Sequence, residues 1–212
     1  MSGTFKHDMT MMFVIHDALR RELDHVARIA ARTSDDPRTV LRTAAGWELF
    51  KKYLHVHHGA EDEALWPAVR EALAGRPDDL AVIDAMEAEH ATIDPLLDAV
   101  DAALADPNGG TERLGDLVDA LVTGIGGHLK HEEDAGLPLV DDVATLPLLI
   151  AFGQAHTQRI GPDSPKYLPW LLDGASEAAS ESVLRVLPEP AREAYRTQWV
   201  PAYAASDRWA VG

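Results

Sequence analysis

The pattern His-x3-Glu-x5-Pro occurs twice in this chain, as His57 to Pro67 and as His128 to Pro138. Upstream of each copy, at nearly the same distance, a further histidine (His16, then His90) stands inside an apolar stripe of helical period. The two upstream stretches match as well: Met-x3-His-x2-[Leu/Ile]-x3-Leu-Asp describes both Met12 to Asp24 and Met86 to Asp98. In a chain of this composition the His/Glu/Pro pattern is expected roughly 0.04 times. Two copies in register with a second repeated element are therefore an internal duplication, and each half must fold the same way.

The period is that of helices, and no stretch alternates at period two. Helix A is expected from about Met9 to Arg32, with Met12, His16, Leu19, Leu23 and Val26 on one face. After a loop at Ser34-Asp35-Asp36-Pro37, Asp36 reads as an N-cap with Pro37 at the first helical position. Helix B then runs to about Leu65 through Trp47, Phe50, Leu54, His57 and Glu61. Gly75-Arg76-Pro77-Asp78 separates it from helix C, striped by Met86, His90, Ile93, Leu97 and Val100. A loop from Asp106 to Gly110 follows, with Thr111 as cap of helix D, which carries Leu114, Leu117, Leu121, Ile125, His128 and Glu132. The expected fold is all-α: an antiparallel four-helix bundle of two hairpins over residues 1-142, with a C-terminal helical extension packed on it over 143-212. That extension offers an amphipathic helix near Pro147 to Ile160, a Pro-rich turn at 161–165 and two or three short helices. It holds seven of the thirteen Phe, Trp and Tyr residues, which argues for packing, with only the last few residues expected to fray.

Composition narrows the chemistry. Without cysteine there are no disulfides, thiolate zinc sites, iron–sulfur clusters or thiol nucleophiles, so any metal must be held by imidazole and carboxylate. A formal charge of −16 repels phosphate backbones and anionic lipid, so neither nucleic acid nor a membrane is expected as partner. With no signal-like N-terminus and no apolar run of spanning length, a cytoplasmic protein is the expectation.

Positions i and i+4 of a helix project from one face, so His57 with Glu61 and His128 with Glu132 each present an imidazole and a carboxylate to a common point. His16 and His90 occupy stripe positions that face the bundle axis. A lone histidine in such a stripe is most often a hydrogen-bonded core residue, but four with two carboxylates make the ligand inventory of a dinuclear site. Carboxylates can bridge two cations and partly neutralise them, which makes burial of the set tolerable. Ligand softness alone does not choose among iron, manganese and zinc.

The set His16, His57-x3-Glu61, His90, His128-x3-Glu132 resembles the hemerythrin-like, or HHE cation-binding, family of four-helix bundles. The resemblance covers about residues 10–140. It implies a non-haem di-iron centre, oxo- or hydroxo-bridged, in preference to zinc or manganese. In it His16 and His57 would hold one iron, His90 and His128 the other, and Glu61 and Glu132 would bridge them. The chain departs from the oxygen-carrying hemerythrins in two ways. Asp94 stands where they have a fifth histidine, and Glu132 follows its histidine by four residues, where they use an aspartate five residues on. Fewer protein ligands leave more coordination positions for a small molecule, which favours reaction over reversible oxygen carriage.

Asp94, His156 and Tyr53 are further candidates at or around the metals. Asp94 precedes Pro95, a kink point, and a surface place or a supporting one is expected for it. His55, His58 and His131 point about 100° off the ligand face and are expected to be solvated or supporting. Asp62, Glu63, Glu133 and Asp134 read as a solvated face in which one member orients an imidazole. The functional expectation is a di-iron protein that binds or reacts with O2, hydrogen peroxide or NO, an oxidoreductase in oxidative or nitrosative stress defence. The alternative is a non-catalytic module for iron or oxygen binding, storage or sensing.

Overall fold

The computed structural model describes residues 5–31, 36–106 and 111–209, and among these there are helices and no strand. Helix α1 is Thr10–Ala30. The second arm begins with α2, Pro37–Thr43, where the Asp36 side chain accepts the Arg38 N–H and Pro37 lies in the first turn. It continues through α3, Ala45–Ala60, a π-helical turn Glu61–Leu65, and α4, Trp66–Ala72. Gly75 (φ +94°) and Pro77 turn the chain into α5, Pro77–Ala105. Helix α6, Thr111–His131, is followed by a second π-helical turn, Glu132–Gly136, and by α7, Leu137–Val143. Ser34, Asp35, the loop 107–110 and the Thr111 side chain expected as a cap lie outside the described residues. Helix α1 neighbours α3 and α6, and α5 neighbours α6, α2 and α4, so the four arms form one bundle.

Helix B is not continuous. The chain turns extended at Ala44 (ψ 115°), between α2 and α3. The cause lies at the far end of the sequence. The Gly46 N–H donates to the Arg208 carbonyl at 2.7 Å, a bond that an uninterrupted helix would preclude. The Trp209 indole then packs so tightly on Gly46 that a Cβ there would sit 2.3 Å from it. Trp209 also donates to the buried Glu22 at 3.0 Å, so the chain is anchored up to this residue. Pro95, read as a kink point, does not end the helix: α5 runs through it, and the missing N–H deprives only the carbonyl of exposed Ala91 of its helical donor.

The stripes read from the sequence are buried, except that Leu117 is only half-buried and Val118 takes the inward place on α6. Two apolar clusters result. One includes Met12, Leu65, Trp66, Met86 and Leu137; the other includes Leu19, Leu54, Ile93 and Ile125. His16, His57, Glu61, His90, His128 and Glu132 form the polar layer between them, each at most 6% exposed.

The rest of the chain folds as α8, Leu146–Ile160; a 3-10 turn Gly161–Asp163; α9, Ser164–Leu172; α10, Glu177–Arg185; and α11, Glu189–Ala194. A third π-helical turn, Tyr195–Trp199, leads into α12, Val200–Ala204. Helix α8 lies on α3, while α9 and α10 lie on α1, so this region packs on the two helices that carry His16 and His57. None of the described helices is long and apolar enough to cross a membrane.

Candidate metal centre

All three π-helical turns stand one residue ahead of an X-Pro pair. Each is closed by an i→i−5 bond from the residue before proline: Trp66 to Glu61, Leu137 to Glu132, Val200 to Tyr195. Proline at i lacks an N–H, and its ring clashes with the carbonyl at i−4. Widening the preceding turn by one residue relieves the clash. This is the structural meaning of the x5-Pro spacing in the doubled motif. Pro67 and Pro138 place a wide turn directly after Glu61 and Glu132, the kind of distortion often found at functional sites.

Two clusters of ligating atoms meet in the polar layer, each with its atoms within 4.8 Å of one another: His16, His57, Glu61 and Glu132; and His58, His90 and His128. Nε2 of His16 lies 3.1 Å from Nε2 of His57, and Nε2 of His90 lies 3.0 Å from Nε2 of His128. Glu61 spans both, with Oε1 3.3 Å from His57 Nε2 and Oε2 3.6 Å from His90 Nε2. Glu132 Oε2 is 3.2 Å from His16 Nε2 and 3.8 Å from His128 Nε2.

Three outer carboxylates fix the imidazoles. His16 Nδ1 donates to Glu133 at 2.8 Å, His90 Nδ1 to Asp62 at 2.8 Å, and His128 Nδ1 to Glu89 at 2.9 Å. With the proton on Nδ1, the Nε2 lone pair faces inward, the arrangement that metal-bound histidines use. In the second pair two such lone pairs confront each other at 3.0 Å, a repulsion that a cation between them turns into attraction. The oxygens of Glu61 and Glu132 and Nε2 of His58 are buried with no hydrogen-bond partner, a costly condition that coordination removes. These residues fit a pair of cations.

Electrostatics agree. Burial disfavours the charged form of His16, yet Glu132 and Glu133 outweigh it and raise its pKa to about 9, so without metal a proton stands where a cation would. The same contacts, with Arg20, hold Glu133 at about 2 against its own burial. Burial and then the Glu132 charge push Glu61 well above the usual carboxylate range. Burial and neighbouring imidazoles push His57 and His58 well below theirs.

His58 corrects the sequence reading. It is 6% exposed, stacks on His90 with ring centroids 3.9 Å apart, and offers a third nitrogen to the second cluster. A step of 100° does leave the line of His57. The layer, however, holds two clusters side by side, and that step reaches the second. Of the four acidic residues assigned to a solvated face, two orient imidazoles (Asp62, Glu133), whereas Glu63 pairs with Arg159 and Asp134 with Lys130. Glu89, which the sequence reading passed over, holds His128 and, at 2.8 Å, His131; its place just before His90 was the available signal.

The remaining candidates lie outside both clusters. Asp94 is exposed and accepts from His55 at 3.1 Å. Tyr53 is buried against Tyr167 and Trp170, its hydroxyl unpartnered, and burial lifts its pKa to about 12. His156 lies beside His57, ring centroids 6.4 Å apart, and burial with the Arg159 charge lowers its pKa to about 4.

The duplication is broken in two places. Glu89 before His90 corresponds to Ile15 before His16, and His58 corresponds to Leu129. One half thus has three imidazoles with an outer carboxylate on two of them. The other has two imidazoles, and Nδ1 of His57 has no partner.

A helical bundle with a buried layer of histidines and spanning carboxylates has the make-up of a metal-binding helical domain. The hemerythrin HHE cation-binding domain matches residues 7–140, and the chain belongs to that family. Comparison with curated proteins and with solved structures finds no match.

Because Glu89 orients His128, Glu89→Gln should weaken metal at the His58/His90/His128 half by roughly 10–100-fold and leave the other half nearly unchanged. Calorimetric metal titration checks this; two sites of unaltered affinity would refute the role given to Glu89.

Proposed function

We propose that the chain is a non-haem di-iron protein that binds and reacts with O2, hydrogen peroxide or NO. The observation that carries the reading is Glu61, whose two oxygens face different imidazole clusters. His16 and His57 would hold one iron, His58, His90 and His128 the other, with Glu61 and Glu132 between them. Five protein donors on one half exceed the tetrahedral preference of zinc. Six-coordinate cations would keep open positions on both halves. Iron bound there would supply one- and two-electron chemistry toward a small oxidant or NO.

The chain's own residues do the rest. Glu133, Asp62 and Glu89 hold three imidazoles in the ligating tautomer. Met12, Leu65, Met86 and Leu137 exclude water from one side of the layer. His156, held neutral near pH 7, adds an uncharged polar ring beside His57.

Metal analysis with an optical spectrum on protein purified without chelator tests the reading. Two irons per chain, near-ultraviolet charge-transfer absorption and peroxide consumption that vanishes on iron removal are expected. A stable oxygen complex without turnover would favour a storage or sensing role instead, and stoichiometric zinc with no bound iron would overturn the proposal.

A further inference from the structure

The C-terminal region and α1 enclose a cavity of about 390 Å³, within the range of small-molecule sites. Its walls are Met12 and Ile15 of α1, Phe152 of α8, Leu168 of α9 and Val183 of α10. Met11 and Val186, two of the few large apolar side chains left exposed, stand at its mouth. At the inner end are His156 and Tyr167, both buried, with ring centroids 5.6 Å apart. The Tyr167 hydroxyl has no partner. His156 in turn abuts His57, and Ile15 precedes His16, so the cavity borders the half of the centre that has fewer imidazoles.

The lining selects the ligand. It is mostly apolar, with the imidazole of His156 and the phenol of Tyr167 buried in it and Thr157 and Ser164 as its neutral hydroxyls. No lysine or arginine is among the described residues that line it, and Asp8 is. A carboxylate or phosphate head would meet no cation in the lining, whereas a neutral hydroxyl meets a donor and an acceptor.

We propose that this cavity binds a neutral, largely apolar small molecule with one hydroxyl, a phenol or alcohol, hydroxyl inward at His156 and Tyr167. That it serves the metal centre rests on the di-iron reading; that it binds such a molecule does not. The test is calorimetric titration of the full chain, as purified and after chelation, with 4-butylphenol, butylbenzene and 4-butylbenzoate. Saturable binding of the phenol, about tenfold tighter than either analogue, is expected with and without metal. Tyr167→Phe removes a hydroxyl with no partner and should erase the preference for phenol over butylbenzene. Gly153 lines the cavity and has open space at its Cβ, so Gly153→Phe should block binding while the thermal unfolding temperature holds. Absence of saturable phenol binding, tighter binding of the benzoate, or unchanged binding in a folded G153F protein would overturn the proposal. Phenol binding by a protein that never holds iron would leave the cavity site standing and remove the di-iron reading.

Discussion

Replacing Glu61 with alanine should strip the centre, lowering bound iron from two per chain to well below one. The two oxygens of Glu61 face different imidazole clusters, so on the di-iron reading its loss would remove a donor from each cation and the negative charge between them. Loss of an outer carboxylate costs about 10–100-fold in affinity, and loss of a shared ligand should exceed that range. His57→Ala touches one half only and should leave closer to one iron. The pair of variants thus separates shared from local ligation. Iron content measured after desalting decides the matter, and two irons per chain retained in both would sink the assignment. Glu61→Gln, which keeps the shape and loses the charge, should resemble E61A.

Loading with ferrous iron should raise the thermal midpoint by about 10 °C over the chelated protein, the second large effect. Binding at a thousandfold over Kd contributes about 4 kcal/mol, and a domain of this size moves about 2–4 °C per kcal/mol. The metal-free fold bears the opposite burden: Glu61 is fully buried with neither carboxylate oxygen hydrogen-bonded, and the His57 and Glu61 protonation equilibria are displaced toward their neutral forms. Glu61→Leu should therefore stabilise the metal-free protein by about 1–3 kcal/mol, since a buried polar group without partners costs that much. Iron should give this variant little further gain. Differential scanning calorimetry with and without chelator reads both signs. Equal midpoints for loaded and chelated wild type would show that the layer is a self-sufficient polar core.

Much of this buried polar layer was legible in the chain. The spacing of His16, His57, Glu61, His90, His128 and Glu132 against helical period put all six on inward faces, and each is buried in one layer. Asp36 and Pro37 read correctly as a helix start because capping is local chemistry. His58 and Glu89 were missed for a shared reason. A helical wheel measures angles about a single axis, while His58 is placed by the offset between two clusters and Glu89 by a bond from α5 to α6. The interruption at Ala44 was equally invisible, since its partners Arg208 and Trp209 lie at the opposite end of the chain.

The sequence by itself determined the helices, their inward faces and the duplicated ligand set, because those follow from periodicity and residue type within a few turns. Only the tertiary structure decided that the centre is lopsided, with His58 on one half, an unpartnered His57 nitrogen on the other, and an apolar cavity beside the second. The physical reason is that ligation, tautomer and access are fixed by atoms a few ångströms apart in space. Here those atoms come from α1, α3, α5, α6, α8 and α9, which no local spacing relates.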